Sequence, residues 1–149
     1  DFNQVVQWDI LFHRKLMISH LLDEAIRWTA GAPLKGTKAE GPIESIMAHW
    51  IRHFGPMHVL IADGETGLCS EEVAQFLDRV RVQLKTKDPG KHAQMVERHH
   101  ELLRRLILRV ETQLKAEGLV VPIEVIIAEC ILAKNVLTTV AGKTPHRAL

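Results

Sequence analysis

The segment Val5 to Phe12, VVQWDILF, constrains this chain more than any other. It is rich in β-branched and aromatic residues, and both of its alternating faces are apolar. That is the pattern of a central strand buried on two sides. Asp9 stands inside it. A carboxylate there must either reach solvent or gain a partner, because burying an unpaired charge is very costly. An exposed strand edge would satisfy Asp9 without any function, and a ligand site would satisfy it with one.

The rest of the chain alternates between two periods. Lys15 to Leu22 (KLMISHLL) follows a short polar turn, close enough to be an antiparallel neighbour of the first strand. Ala25 to Ala30 (AIRWTA) makes a third strand. Past the breakers of Lys35 to Pro42, apolar residues fall at Ile43, Ile46, Met47, Trp50, Ile51 and Phe54. That spacing predicts an amphipathic helix, stopped by Gly55-Pro56. His58 to Ala62 reads as a short buried strand running into Asp63-Gly64. Ser70 is the expected N-cap of a helix with Glu71 and Glu72 in its first turn. Val82 to Thr86 alternates like an edge strand.

A long helix is expected from about Ala93 to Ala116, and another from Pro122 to about Val140. Three strands, then helix, strand, helix, strand and two helices predict a single α/β domain over residues 1–149 with a mixed sheet.

Composition sets outer bounds. With 46% apolar and 25% charged residues, the chain has the balance of a folded globular domain. Its apolar stretches are interrupted by charge well before the roughly 18–20 residues of a membrane span. No secretory leader pattern opens it, so a piece cut from a longer, non-secreted protein is expected. The formal net charge is +1, so any nucleic-acid binding must come from a local basic face. Cys69 and Cys130 form no metal-ligand spacing and are expected as reduced thiols.

Two further acids deserve weight beside Asp9. Asp63 directly follows a buried strand, at the carboxyl end where open α/β sheets place ligands, although Asp-Gly is also ordinary turn chemistry. Glu97 lies early in the long helix, where the helix dipole favours an acid. The apolar stripe of that helix runs through Met95, Leu102, Leu103, Leu106 and Val110, with Glu97 on the other side near Glu101 and Arg104. Taken alone, Glu97 reads as a solvated surface residue.

Together the three acids and their local sequences resemble the catalytic core of retroviral and LTR-retrotransposon integrases. Trp8-Asp9 resembles the first-strand acid, and Leu21-Leu22-Asp23 the strand ending in a non-catalytic Asp. Leu60-Ile61-Ala62-Asp63-Gly64 resembles the second motif, and Met95-Val96-Glu97-Arg98 the third. Asn135 followed by Gly142-Lys143-Thr144-Pro145 is similar to the last core helix and its trailing Gly-x-x-Pro. The resemblance spans essentially the whole chain. It departs from the family at DGETGL (Asp63 to Leu68), at Pro89 to Gln94, and in the thirty-three residues between Asp63 and Glu97, slightly fewer than in retroviruses. These departures point to a divergent retrotransposon lineage.

The resemblance implies an RNase H-like fold, with a five-stranded mixed sheet and helices on both faces. It further implies metal-dependent 3′-end processing and strand transfer of element DNA into target DNA. Asp9 would bridge two Mg²⁺ or Mn²⁺ ions, with Asp63 and Glu97 each completing one site. Lys87, Lys91, Arg98 and Arg104 flank these acids and could hold phosphates, although for any one of them a solvated helix face of mixed charge is the better explanation. Glu101 competes with Glu97 for the third position, and Glu65 with Asp63.

His92, His99 and His100 invite a zinc reading, but no cysteine pair completes a tetrahedral set, and His99 falls on the apolar side of its helix. The implied partners are element-end DNA, target DNA and further copies of the chain, through apolar faces of the long helices. The implied location is the nucleus or a virus-like particle. A core without activity, serving in dimerisation or DNA tethering, is the competing expectation.

Overall fold

The computed structural model describes residues 1–36, 38, 40–63, 70–86, 91–139 and 142–149, and the side chains of 91–93 are outside that description. Strand β1 (Val5–His13) lies at the centre of a five-stranded sheet of order β3-β2-β1-β4-β5. It pairs antiparallel with β2 (Leu16–Asp23) and parallel with β4 (Val59–Ala62). The edges are β3 (Thr29–Pro33), antiparallel to β2, and β5 (Gln83–Thr86), parallel to β4. The mixed five-stranded sheet with helices on both faces is as the sequence led us to expect.

Alternation along β1 assigns its two faces. Val6, Trp8 and Ile10 join Leu21, Leu60 and Ala62 in a core closed by α1 (Glu40–Ile46), a π-helical turn (Met47–Ile51), α2 (Arg52–Phe54) and α3 (Glu71–Arg79). Leu11 and Ile18 face the opposite way, against Leu103 and Ile107 of α4 (Lys91–Ala116) and Ile127 and Ile131 of α5 (Ile123–Leu137). A short α6 (Pro145–Ala148) follows. Burial on both faces is what makes the β1 sequence apolar at odd and even positions alike.

Local chemistry explains most boundaries. The Ser70 hydroxyl accepts from the Val73 amide and caps α3, as its position before two acids predicts. The third strand, however, begins at Thr29 rather than at Ala25. The buried Asp23 carboxylate accepts from the amides of Asn3, Ala25 and Ile26, which folds 24–28 into a turn with Arg27 at φ 64°. That turn takes four of the six residues read as strand, and β3 pairs with β2 only beyond it. Gly31 sits where β3 approaches β2 most closely: a Cβ there would lie 2.0 Å from the Ser19 carbonyl oxygen.

Helix α5 is tied to the sheet by polar as well as apolar contacts. The Asn135 amide accepts from the Thr29 backbone N–H and donates to its carbonyl, both at 2.8 Å and both buried. Thr29 thereby gains on α5 the partners that an edge residue otherwise finds in water. On its outer side α5 leaves Val125, Leu132 and Val136 exposed along one helical stripe. No helix among the described residues is long and apolar enough to cross a membrane.

Asn135→Ala strips partners from a buried N–H and a buried carbonyl at once. The expected cost is about 2–6 kcal/mol, since each orphaned group costs about 1–3. Urea unfolding should show a lower midpoint with an unchanged slope.

Candidate active site

The pairing of β1 with β4 ends at Trp8 and Ala62. The next residue on each strand is an aspartate. Because parallel partners at one register point the same way, Asp9 and Asp63 project from the same side of the sheet, on strands roughly 4.8 Å apart. Trp8 and Ala62 belong to the α1/α3 face, so both acids belong to the face of α4 and α5. Strand β4 stops there, and Asp9 keeps partial exposure although it lies within the central strand. One Asp9 carboxylate oxygen accepts from the Ile10 amide at 2.8 Å.

Glu97 is exposed on α4, in its second turn. The described residues contain no group of three His, Cys, Asp or Glu side chains converged tightly enough to hold a metal ion. The structure thus brings two of the three expected acids to one level and leaves Glu97 outside a closed cluster. Its competitor Glu101 is engaged elsewhere, accepting from Arg105 Nε at 3.1 Å one turn along the helix. Glu65, Cys69 and Lys87 lie outside the described residues, as does the side chain of Lys91.

Two of the expected phosphate contacts can be placed. Arg98 is exposed beside Glu97. Arg104 donates from Nε to the Phe12 carbonyl at 3.2 Å, bracing α4 against β1. Cys130 is buried and unbonded to sulfur, and burial pushes its thiol up to about 11.

Next to the aspartates lies a polar cluster that the sequence reading passed over. His20 of β2 is the register partner of Asp9 and shares its face. It is only 1% exposed, and neither ring nitrogen has a hydrogen-bond partner. Its ring contacts that of His100 on α4, with centroids 4.9 Å apart. His99, His100 and Lys134 are buried too, and Lys134 Nζ donates to the Thr29 hydroxyl at 2.6 Å. His99 is buried, in line with its place on the apolar side of the helix, and its neighbour His100 is buried as well.

Two signals were present in the sequence. His20 interrupts an otherwise apolar strand, and Lys134 does the same within the apolar run of α5.

Burial governs the titration of this cluster. It holds His20 well below its ordinary value, with His100, Lys134 and His99 adding like-charge repulsion. It lowers His99 to about 3, helped by Lys134, Arg27, Arg98 and His100. Lys134 falls to about 7, from burial and then from Arg27.

No family model and no curated protein sequence matches this chain. Solved structures do. The HTLV-2 integrase catalytic core domain in complex with magnesium, in its dimeric form, superposes with a TM-score of 0.80 at 17% identity, over 95% of this chain and 92% of that one. The BIV integrase catalytic core gives 0.82 at 13% identity, over 98% and 93%. The integrase chain of a simian T-cell lymphotropic virus intasome, solved with the PP2A regulatory subunit B56 gamma, gives 0.85 at 18% identity, over 97% of this chain and 53% of that longer one. At such identities the likeness establishes the fold, which is that of retroviral integrase catalytic cores.

The cluster makes folding stability depend on pH with a definite sign. The folded-state pKa of His99 lies below its ordinary 6.5, so the unfolded chain binds more protons between 6.5 and about 3. Stability therefore falls as pH drops through that window. Urea midpoints measured from pH 7 to pH 4 should decline, and His99→Gln should decline less steeply than the wild type.

Proposed function

We propose that this chain is the catalytic core of an integrase, using divalent metal to process the 3′ ends of element DNA and join them to target DNA. The observation that carries this reading is the level pair Asp9 and Asp63. They stand on one face of adjacent parallel strands, where β4 ends, in a fold shared with retroviral integrase cores. Open α/β sheets bind ligands beyond the carboxyl ends of their strands.

Two carboxylates at one level offer hard oxygen donors, and Mg²⁺ is commonly held by one or two carboxylates plus substrate phosphates. The donor set therefore suits Mg²⁺ or Mn²⁺, and the magnesium in the HTLV-2 core supports the same assignment. When bound, such ions neutralise charge on the scissile phosphate and on the attacking and leaving oxygens. Asp9, on the central strand, would hold both ions, and Asp63 and Glu97 would complete one site each. Arg98, with Lys87, Lys91 and Arg104, would hold DNA phosphates and so fix position rather than read sequence.

Water would attack first, near the 3′ end of the element DNA. The freed 3′-hydroxyl would then attack a target phosphodiester. The exposed stripe Val125, Leu132 and Val136 on α5 offers a surface for a second copy, in line with the dimeric and trimeric forms of the HTLV-2 core. Work on element and target DNA would take place in the nucleus or in a virus-like particle.

A second reading, a core without activity that serves in dimerisation or DNA tethering, is favoured by one observation. Glu97 is not gathered with the two aspartates among the described residues. Calorimetric titration with Mn²⁺ separates the two readings, because the tethering module binds no metal at these acids.

For the enzyme, Asp63→Asn should abolish Mg²⁺- or Mn²⁺-dependent nicking and strand transfer on element-end DNA while the circular dichroism spectrum stays unchanged. Activity equal to the wild type would sink the assignment. Leu132→Glu should shift sedimentation toward the monomer if the α5 stripe pairs copies of the chain.

A further inference from the structure

Two adjoining hollows open at the tip of the β1–β2 hairpin, where the last turns of α4 and the loop 117–122 meet it. One, of about 390 Å³, is bordered by Lys15, Leu16 and Ile123. The other, of about 530 Å³, has a floor of Leu114, Leu119, Val121 and Ile126, with Val120 beside them. Arg14 and Glu111 border both, so the two form one groove. Volumes of this size are usual for binding clefts. The loop that builds the groove is held in place. The Gly118 amide donates to the Lys115 carbonyl at 3.2 Å and the Leu119 amide to the Leu114 carbonyl at 2.9 Å. With Gly118 at φ 70°, these bonds cap α4 and set Leu119 against Leu114. Pro122 then restricts Val121 to extended backbone. Between these two fixed points Val120 is 98% exposed.

The rim of the groove is basic. Among the described residues that line it, Glu111 is the one acid, and it is engaged by His13 Nε2 at 2.6 Å and Arg14 Nη2 at 3.5 Å. Arg14, Lys15 and Lys115 are exposed around it. We propose that this groove docks a short segment of a partner protein, one whose large apolar side chains are flanked by Asp or Glu. The floor takes the apolar side chains, and the rim cations meet the carboxylates and steer the encounter. A nucleic-acid backbone would satisfy the cations but leave Leu119 and Val120 without an apolar partner. Because the loop is already fixed, little ordering entropy is lost on binding. Neither the aspartates nor a metal ion takes part.

The test is selection from a random peptide display library against the whole chain in EDTA. Enriched peptides should combine large apolar with acidic residues. A labelled synthetic copy of the most enriched peptide, followed by fluorescence anisotropy, should bind Val120→Asp about 10-fold or more weakly than the wild type, as for a central interface contact. Val120 lies almost wholly in solvent, so this variant should keep the wild-type circular dichroism spectrum. Lys15→Glu combined with Lys115→Glu should also lose the peptide, and should prefer a version whose acids are replaced by lysine. No enrichment overturns the proposal, as do enriched peptides that bind Val120→Asp as tightly as the wild type. A shift of Val120→Asp toward the monomer in sedimentation overturns it as well, giving the groove to a second copy. So does a labelled DNA duplex that depends on Lys15 and Lys115 but displaces the peptide from the wild type, giving the groove to nucleic acid.

Discussion

The parallel pairing of β1 with β4 is the constraint on which the rest depends. It places β1 at the centre of the sheet, obliges both of its faces to be apolar, and ends at Trp8 and Ala62. Up to that point each residue is enclosed by neighbours on both sides and by helices above and below. One step later β4 has gone, and the two strands present aspartates side by side. A slip of one residue would send Asp9 into the Trp8 and Trp50 core and the tryptophan toward α4, so the register is fixed by the whole apolar pattern. The level placement of the two acids is thus a by-product of ordinary core packing.

The second organising element is polar. Thr29, Lys134 and Asn135 join β3 to α5, while His20, His99 and His100 fill the space between β2 and α4. Such groups would be poor choices for stability alone. Burial costs His20 and His99 their proton affinity, and it lowers Lys134 to about 7. What they offer is definition: Asn135 satisfies one residue's N–H and carbonyl together, which allows only one placement of α5 against the sheet. A purely aliphatic layer would tolerate sliding.

The likeness to retroviral integrase cores rests on shape, at identities of 13–18%. Divergence on that scale erases family models but not the alternation of strands and helices, since many apolar sequences satisfy the same burial pattern. The buried His20, His99, His100 and Lys134 lie outside the motifs that carried the resemblance.

How much was legible in the residues follows the range of the forces involved. The central strand, the order of elements, the Ser70 cap and the strand-end position of Asp63 came through, because each depends on near neighbours or on a repeating period. The third strand was misplaced by four residues, since its start is decided by Asp23 capping the amides that follow and not by the apolar content of AIRWTA. Glu97 stayed dependent on resemblance, because an exposed helical acid has no local mark of function.

The sequence by itself determined that Asp9 is an anomaly demanding an explanation. Only the tertiary structure decided the neighbours that give it one: Asp63 on β4, His20 on β2 and, through His100, the helix that carries Glu97. The reason is physical. Strand register and helix docking are settled by packing between residues tens of positions apart, and no period within one segment encodes them.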